Sequence, residues 1–197
     1  MKIGIIGLPQ VGKTTLFNLL TEGKATTGYG NKDKANHGVA LVRDPRIDVL
    51  TGICGPRKVT YPQIEFIDIA GLDPTGNGKE TRSFLDAVRN VDALVQVVRA
   101  FRCDAVPHYN GDLNIIRDLN ILQAELLLTD LQLLETRIGR LKNGKNKQAN
   151  QEEDLALLRK CRDHLEQEKP LTQIELSREE QELFRQYMFY TAKPMLI

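Results

Sequence analysis

The feature that most restricts the fold of this chain is a glycine-rich loop between an apolar segment and an amphipathic one. Residues 2–6 read KIGII, residues 7–14 read GLPQVGKT, and residues 15–20 read TLFNLL. The loop has the form G-x-x-x-x-G-K-T, and it lies between a predicted strand and a predicted helix, which is the context expected of a P-loop. This arrangement predicts an α/β fold in which the loop binds phosphate groups.

Each residue type in this loop suits phosphate binding. Gly7 and Gly12 permit backbone conformations that turn N–H groups towards phosphate oxygens. The helix that starts near Lys13 adds its positive dipole end, and the lysine is expected to reach the β- and γ-phosphates. The Thr14 hydroxyl is expected to hold Mg²⁺. The residues predicted to bind the nucleotide are Gly7, Pro9, Gln10, Val11, Gly12, Lys13, Thr14 and Thr15.

A second apolar segment, residues 64–68, ends in a carboxylate and begins a D-x-x-G pattern that closes at Gly71. In a P-loop fold such a strand lies beside the first one, so Asp68 is expected near Thr14 and the metal. The N–H of Gly71 can approach a γ-phosphate because no Cβ intervenes. We therefore predict Thr14 and Asp68 as metal ligands, and Lys13 and Gly71 as catalytic residues.

The composition of the chain narrows its partners and its compartment. The chain has 197 residues and a net charge of +1, which gives no global bias towards nucleic acid or membranes. Its three cysteines, Cys54, Cys103 and Cys161, form no C-x-x-C pair, which favours a reducing compartment over a disulfide framework or a zinc site. No apolar run approaches the roughly 18 residues of a membrane span. We expect a cytoplasmic protein.

The chain resembles the Obg-related P-loop NTPases and, within them, the YchF subfamily of Obg-like ATPases. The resemblance rests on GLPQVGKTTLFNLLT and DIAGL, and it extends over nearly the whole chain. Four further stretches carry it: Asp44-Pro45-Arg46, Val97-Val98-Arg99, Ile116-Arg117-Asp118 and Thr191-Ala192-Lys193-Pro194. In that family a hydrophobic residue follows the D-x-x-G glycine, where Ras-like enzymes have a glutamine that orients water, and Leu72 matches this. The resemblance implies that backbone, a potassium ion or a partner positions the water.

The phosphate loop and the first switch segment depart from the family pattern. The family loop usually reads G-L-P-N-V-G-K-S, whereas this chain has Gln10 and Thr14, and the threonine keeps the metal-binding hydroxyl. The switch I stretch Y-P-F-A-T-I-E aligns with residues 28–34, which puts Lys32 where the family has its Mg²⁺-closing threonine. Thr26 or Thr27 replaces that threonine only if the loop follows another path.

The second switch segment, residues 73–80, is shorter than the family's glycine-rich version. Separately, Lys32 in switch I and Leu72 in place of the glutamine predict slow unassisted hydrolysis.

A long helical region follows the predicted strand at residues 93–98. Apolar residues repeat there with heptad spacing, which predicts a coiled-coil seam. Turn formers at residues 142–150 interrupt the repeat, so we expect an antiparallel hairpin. Ser177 and Glu180 then form a predicted capping box at the start of a return helix. The seam residues are Leu127, Leu131, Leu134, Ile138 and Leu141 in the first arm, and Leu155, Leu158, Cys161 and Leu165 in the second; the return helix is expected to bury Leu183, Phe184, Tyr187 and Met188.

The tip of this hairpin has two interpretations. Lys142, Lys145 and Lys147 could contact ribosomal RNA through its phosphates. Three lysines make a weak patch, however, so a solvated turn is the favoured interpretation. The resemblance agrees with a helical domain at this point in the sheet.

The end of the chain resembles the start of the strand that leads to the base-reading motif of these proteins. Residues 193–197 read KPMLI, and the sequence ends before an N-K-x-D or N-x-x-E motif. We therefore expect a truncated sheet whose last strand offers an open edge for self-association. Because the motif is missing, the sequence does not distinguish ATP from GTP.

These features predict an α/β P-loop NTPase fold with a mainly parallel sheet, incomplete at the C-terminus, and an inserted helical hairpin domain. We expect residues 1–100 to form the nucleotide-binding domain, residues 101–190 the insertion, and residues 191–197 the returning strand. The first functional hypothesis is a slow, partner-stimulated, Mg²⁺-dependent hydrolase of ATP or GTP, with ATP favoured by resemblance alone. The alternatives are a nucleotide-gated module that binds ribosomes or another partner with negligible hydrolysis, and a fragment that binds nucleotide weakly.

Overall fold

A computed structural model describes residues 1–23, 35–73, 78–103, 105–109, 111–143 and 151–197. The chain divides into two compact units, Met1–Ile115 with Met195–Ile197 and Ile116–Pro194. Residues 101–115 thus group with the first unit, whereas the predicted insertion began at residue 101. Among the described residues, no helix combines the length and the apolar character that crossing a membrane requires.

The first unit contains a five-stranded sheet in the order β2-β3-β1-β4-β5. Strands β3, β1, β4 and β5 run parallel to one another, and β2 pairs antiparallel with β3. The predicted α/β fold with a mainly parallel sheet is therefore confirmed. The strands are β1 (Lys2–Ile6), β2 (Asn36–Leu41), β3 (Gln63–Asp68), β4 (Ala93–Gln96) and β5 (Met195–Leu196).

Strand β1 lies at the centre of this sheet because all of its residues after Lys2 are apolar. Ile5 and Ile6 are completely buried, and Ile5 shares a core with Phe66 of β3. Within the described residues, the helices of the first unit are α1 (Lys13–Thr21), α2 (Pro45–Cys54) and α3 (Gly78–Arg89). Phe17 of α1 completes the same core, which holds the helix that follows the phosphate loop against the sheet.

Two of the stretches quoted for the family resemblance have a local structural role. In Asp44-Pro45-Arg46, the Asp44 side chain accepts a hydrogen bond from the backbone N–H of Arg46 and caps α2, with Pro45 in the first turn. The Arg99 side chain is buried and donates to the backbone carbonyls of Phe101, Cys103 and Val106. It therefore holds the connection that follows β4 in one conformation.

The second unit is helical and has its own core. Residues from α4 (Ile115–Asn143), α5 (Gln151–Leu165) and α6 (Arg178–Phe184), together with a 3₁₀ helix at Leu171–Gln173, contribute to it. The predicted seam residues of both arms belong to this core, either fully buried or packed against it. The coiled-coil geometry itself stays a prediction. Residues 144–150, which include Lys145 and Lys147, lie outside the described part of the chain, so the interpretations of the hairpin tip are not tested.

The predicted start of the return helix is confirmed, but its predicted apolar face is wrong at one position. The Ser177 hydroxyl accepts from the Glu180 N–H, and the Glu180 carboxylate accepts from the Ser177 N–H, which is a complete capping box. Tyr187 packs on the core of the second unit, whereas Met188 is 66% exposed. Helix α6 ends at Phe184, so the helical spacing that put Met188 on this face no longer applies.

A buried carboxylate fixes the segment that precedes β5. Asp130 of α4 has no exposed surface, and it accepts hydrogen bonds from the N–H groups of Tyr190 (2.9 Å) and Thr191 (2.7 Å) and from the Thr191 hydroxyl (2.7 Å). Burial raises the pKa of the Asp130 carboxyl, and these hydrogen bonds oppose that shift. The Thr191-Ala192-Lys193-Pro194 stretch thus begins at a buried polar contact within the second unit.

Candidate functional site

The glycines of the predicted phosphate loop allow close backbone packing and unusual dihedral angles. A Cβ at Gly7 would lie 2.5 Å from the carbonyl oxygen of Val97, so a side chain does not fit there without moving the backbone. Gly12 has φ +102°, and Gln10 has φ +63°, which are conformations that side chains disfavour. The loop between β1 and α1 is therefore compact, and Gln10 is its one described non-glycine residue in the left-handed region.

The N-terminus of α1 suits an anion. Gly12 is the N-cap residue and provides no side-chain acceptor, and no acidic residue lies in the first turn. The first N–H groups of a helix lack intrahelical partners, and they carry the positive end of its dipole. Lys13 and Thr14 lie in this turn together with Thr15, whose side chain is exposed. The Val11 side chain is buried, so this residue can contact a ligand through its backbone only.

Lys13 is held inside the loop. Its side chain is buried, and its Nζ donates a 2.8 Å hydrogen bond to the Leu8 carbonyl. Burial lowers the pKa of the Lys13 ammonium to about 8, and the nearby Asp68 carboxylate opposes that shift. The Lys13 ammonium has already lost most of its hydration in the folded chain. It therefore loses little more when it binds a phosphate.

The D-x-x-G turn lies directly against the phosphate loop. The Leu72 N–H donates to the Gly7 carbonyl at 3.2 Å, which ties the turn to the first loop residue. A Cβ at Gly71 would lie 2.9 Å from both the Pro9 nitrogen and the Lys13 Nζ. Only glycine permits this approach without displacing the loop. Lys13 and Gly71, the two residues predicted to be catalytic, therefore lie next to each other.

The two predicted metal ligands also lie side by side. The Thr14 hydroxyl donates a 2.7 Å hydrogen bond to Oδ2 of Asp68, at the carboxyl end of β3. Since the hydroxyl proton is directed to the carboxylate, the oxygen lone pairs of Thr14 remain for a cation. Hydroxyl and carboxylate oxygens are the hard donors that Mg²⁺ prefers, and Mg²⁺ usually takes only one or two protein ligands beside substrate phosphates. This donor pair fits the ion, and within the described ranges no cluster of three acidic, histidine or cysteine side chains offers a fuller cage.

Sequence reasoning missed one residue of this cluster, Asn36. Its side-chain N–H donates to the same Asp68 oxygen at 3.1 Å. Asn36 is the first residue of β2 and lies opposite Asp68 in the antiparallel ladder. The proximity of Asn36 to Asp68 results from the pairing of β2 with β3, and no local sequence motif predicts it. The switch I candidates Thr26, Thr27 and Lys32 lie outside the described residues, as do residues 74–77 of switch II.

Leu72 is a core residue and not a surface residue of the site. Its side chain is 1% exposed, and therefore it cannot contact a water molecule at the phosphates. We expect Leu72→Ala to lower the free energy of unfolding by about 3 kcal/mol, because it leaves a cavity, while triphosphate affinity measured well below the melting temperature changes by less than about threefold. Chemical denaturation and fluorescent-nucleotide titration measure the two quantities.

Leu19→Ala is the matched control for this substitution, because Leu19 is an exposed leucine on α1. It should change neither quantity. Loss of affinity in Leu72→Ala equal to that of a Lys13 variant would show that Leu72 takes part in ground-state binding.

The pKa of Lys13 predicts a pH dependence of binding. Phosphates are recognised by the ammonium form, and with a pKa of about 8 its population falls from about nine-tenths near pH 7 to about one-tenth near pH 9. The Kd for a triphosphate should therefore rise about tenfold over this range, while phosphate groups, which titrate at about pH 6, stay ionised. Lys13→Arg stays charged and should bind with a flat profile. An unchanged slope in that variant would assign the titration to another group.

The strand order, the P-loop with its buried lysine, and the adjoining D-x-x-G turn define the class of protein as a P-loop nucleotide-binding protein with a G-domain-like sheet. Residues 2–129 match the model of the 50S ribosome-binding GTPase family. The chain belongs to this family.

The individual relatives agree on one subfamily. The chain is 39% identical to the ribosome-binding ATPase YchF of Buchnera aphidicola subsp. Acyrthosiphon pisum, with 99% of this chain and 55% of the relative covered. It is 37% identical to the YchF of Bacillus subtilis, with 98% and 54% covered. The solved structure of the Schizosaccharomyces pombe YchF GTPase superposes with a TM-score of 0.79 at 33% identity, over 99% of this chain and 55% of that one. The predicted resemblance to YchF proteins is confirmed, and the chain spans about half the length of these relatives.

Proposed function

We propose that this chain forms the catalytic part of a Mg²⁺-dependent nucleoside triphosphatase of the YchF type. The observation that carries the proposal is the contact between the two phosphate-side motifs, with Gly71 against Pro9 and Lys13, and with Thr14 hydrogen-bonded to Asp68. A phosphate loop alone binds many ligands. When the loop packs against a D-x-x-G turn, groups from both segments can contact the γ-phosphate. Hydrolysis requires the γ-phosphate to be positioned in this way.

The residues divide the work between binding and positioning. The N-terminal N–H groups of α1 and the Lys13 ammonium bind the phosphates, and the ammonium neutralises charge on the β–γ bridge. Thr14 and Asp68 would hold Mg²⁺, which when bound would supply charge neutralisation for the phosphates. The Gly71 N–H donates to the γ-phosphate. No covalent nucleophile is needed, because phosphoryl transfer depends mostly on positioning and charge.

Hydrolysis by this chain alone is expected to be slow. Leu72 occupies the position at which Ras-like enzymes have their water-orienting glutamine, and its side chain is buried in the core. The attacking water must therefore be oriented by a backbone group, a potassium ion or a partner. A partner that orders the water or adds positive charge would stimulate the reaction, as an arginine supplied by a partner does in other P-loop enzymes.

The finer assignments rest on the relatives. The two bacterial relatives are named ribosome-binding ATPases, which supports ATP over GTP, a ribosomal partner and a cytoplasmic location for this chain. The matched family and the solved structure are named GTPases. Contact of the hairpin tip with ribosomal RNA belongs to the same set of proposals.

Single-turnover hydrolysis tests the enzymatic proposal. We expect cleavage of ATP in Mg²⁺ to be slow for the chain alone and to accelerate when ribosomes are added, with GTP cleaved less readily. Asp68→Ala should bind less Mg²⁺ and show neither the basal nor the stimulated reaction. The same rate for Asp68→Ala and the unsubstituted chain would show that the activity comes from a contaminant.

The buried Leu72 also favours a second candidate, a nucleotide-gated binding module with negligible turnover. Ribosome association that depends on the nucleotide, without cleavage under single-turnover conditions, would support this module over the enzyme. A weakly binding fragment is the third alternative. A melting temperature that saturating Mg-ATP and Mg-GTP both leave unchanged would point to it.

A further inference from the structure

Strand β2 brings a third polar side chain to the proposed metal carboxylate. From this placement we infer that Asn36 is a positioning residue for Asp68, and that it sets the Mg²⁺ affinity of the site without contacting the ion. The inference rests on the proposed function, since it assumes that Asp68 holds Mg²⁺ together with Thr14.

The hydrogen bonds at Asp68 are unevenly distributed. The Thr14 hydroxyl at 2.7 Å and the Asn36 amide at 3.1 Å both donate to Oδ2. Within the part of the chain that the structure describes, no hydrogen bond falls on Oδ1. Two donors on one oxygen fix the rotation of the carboxyl group, so the other oxygen is presented in a constant orientation. Partners of this kind around metal-binding side chains raise affinity because they orient the ligand before the ion arrives.

The backbone of β2 holds Asn36 in place. Asn36 and Asp68 are directly opposed in the antiparallel register, which restricts the distance between their side chains. Gly38 lies on the same face of the strand two residues later, and a Cβ there would lie 2.6 Å from the Thr21 side chain and 2.9 Å from the Phe17 ring. The glycine therefore allows β2 to approach α1 closely, on the face that carries the Asn36 amide.

A purely structural role for Asn36 has a different consequence. If its amide only satisfied a buried carboxylate, its loss would lower the stability of the fold and weaken nucleotide binding with and without metal alike. A positioning role instead predicts a loss that appears only when the metal is present. The two roles are thus separated by measuring nucleotide affinity in Mg²⁺ and in EDTA, and not by measuring activity.

The test uses the full chain, a fluorescent ATP analogue and its GTP counterpart, and Mn²⁺ as a spectroscopic probe of the metal site. Asn36→Ala removes the amide. Asn36→Leu also removes it, but keeps the branched shape and the number of heavy atoms in the side chain, so it separates the lost donor from a cavity. His37→Ala is the matched control, because His37 also hydrogen-bonds a carboxylate on β3, Glu65 at 3.1 Å, but points to the opposite face.

We expect both Asn36 variants to bind Mn²⁺ in the nucleotide complex about tenfold more weakly than the unsubstituted chain. Their nucleotide affinity in EDTA should be unchanged, and His37→Ala should match the unsubstituted chain in every measurement. Mn²⁺ affinity that is unchanged in Asn36→Leu, or equal losses in Mn²⁺ and in EDTA, would overturn the role of Asn36 alone. Absence of nucleotide-dependent Mn²⁺ binding in the unsubstituted chain would overturn the proposed function, and this inference with it.

Discussion

Replacing Lys13 with alanine is expected to weaken binding of ATP and GTP by about 100-fold or more. The Lys13 ammonium is buried in the loop and lies beside Gly71. A γ-phosphate bound against the D-x-x-G turn would therefore contact this ammonium. Loss of one member of a buried charged pair costs about 2–5 kcal/mol, and every 1.4 kcal/mol is about tenfold in Kd. Titration with a fluorescent nucleotide at neutral pH measures the effect.

Two variants serve as controls for this prediction. Lys13→Met keeps an apolar stem in the buried position and should show the same loss of affinity with less change in stability. Lys2→Ala removes a largely exposed lysine that pairs with Glu65 at 3.7 Å, and it should leave binding unchanged. Triphosphate binding by Lys13→Met within a few-fold of the unsubstituted chain would contradict the assignment of the phosphate loop.

Replacing Asp130 with alanine is expected to lower the free energy of unfolding by about 4 kcal/mol. The substitution leaves two backbone N–H groups and the Thr191 hydroxyl without their acceptor in a fully buried place, and each unsatisfied buried group costs about 1–3 kcal/mol. The substitution also removes the desolvation penalty of the buried carboxylate, which offsets part of this destabilisation. Chemical denaturation followed by circular dichroism measures the change.

The control for Asp130 is Glu135→Ala, which removes an exposed carboxylate from the same helix and should change stability by less than about 0.5 kcal/mol. Asp130→Asn keeps one acceptor oxygen and should fall between the two. Similar stability of Asp130→Ala and Glu135→Ala would show that the segment before β5 does not depend on this carboxylate.

The raised pKa of Asp130 gives this carboxyl its own contribution to the pH dependence of stability. A folded-state pKa above the unfolded value means that the folded chain holds the proton at higher pH. The contribution of Asp130 is therefore fully present below the unfolded pKa of about 3.9, and it is lost as the pH rises through the folded-state pKa. The difference in stability between the unsubstituted chain and Asp130→Asn should change in this window and not above it.

Local sequence patterns were sufficient for the elements whose physics is local. A helix that starts at Lys13, directly after Gly12, follows from residues that are adjacent in the chain. The capping box at Ser177 and Glu180 is also encoded within four residues, and the structure has both of its hydrogen bonds. The apolar periodicity of α4 and α5 likewise identified most of the side chains that share one core.

The sequence alone was misleading where a pattern was extended past the end of its element. Met188 was placed on the apolar face by helical spacing, but α6 ends at Phe184, and the side chain is exposed. Leu72 was interpreted mainly as a replacement for a catalytic glutamine. The structure adds that it is a core residue, which no property of the D-x-x-G pattern itself indicates.

The phosphate loop, its strand and helix, and the residue types that suit a magnesium-bound triphosphate can be read from the amino-acid sequence, because these features depend on neighbours within a few positions of the chain. The distant groups that meet at the loop are set by tertiary packing. The amide of Asn36 reaches Asp68 across 32 residues because β2 pairs with β3 in one register, and Gly71 lies against Pro9 because two loops end at the same edge of the sheet. Strand order and register depend on how the whole core packs, and so they are not encoded in any single motif.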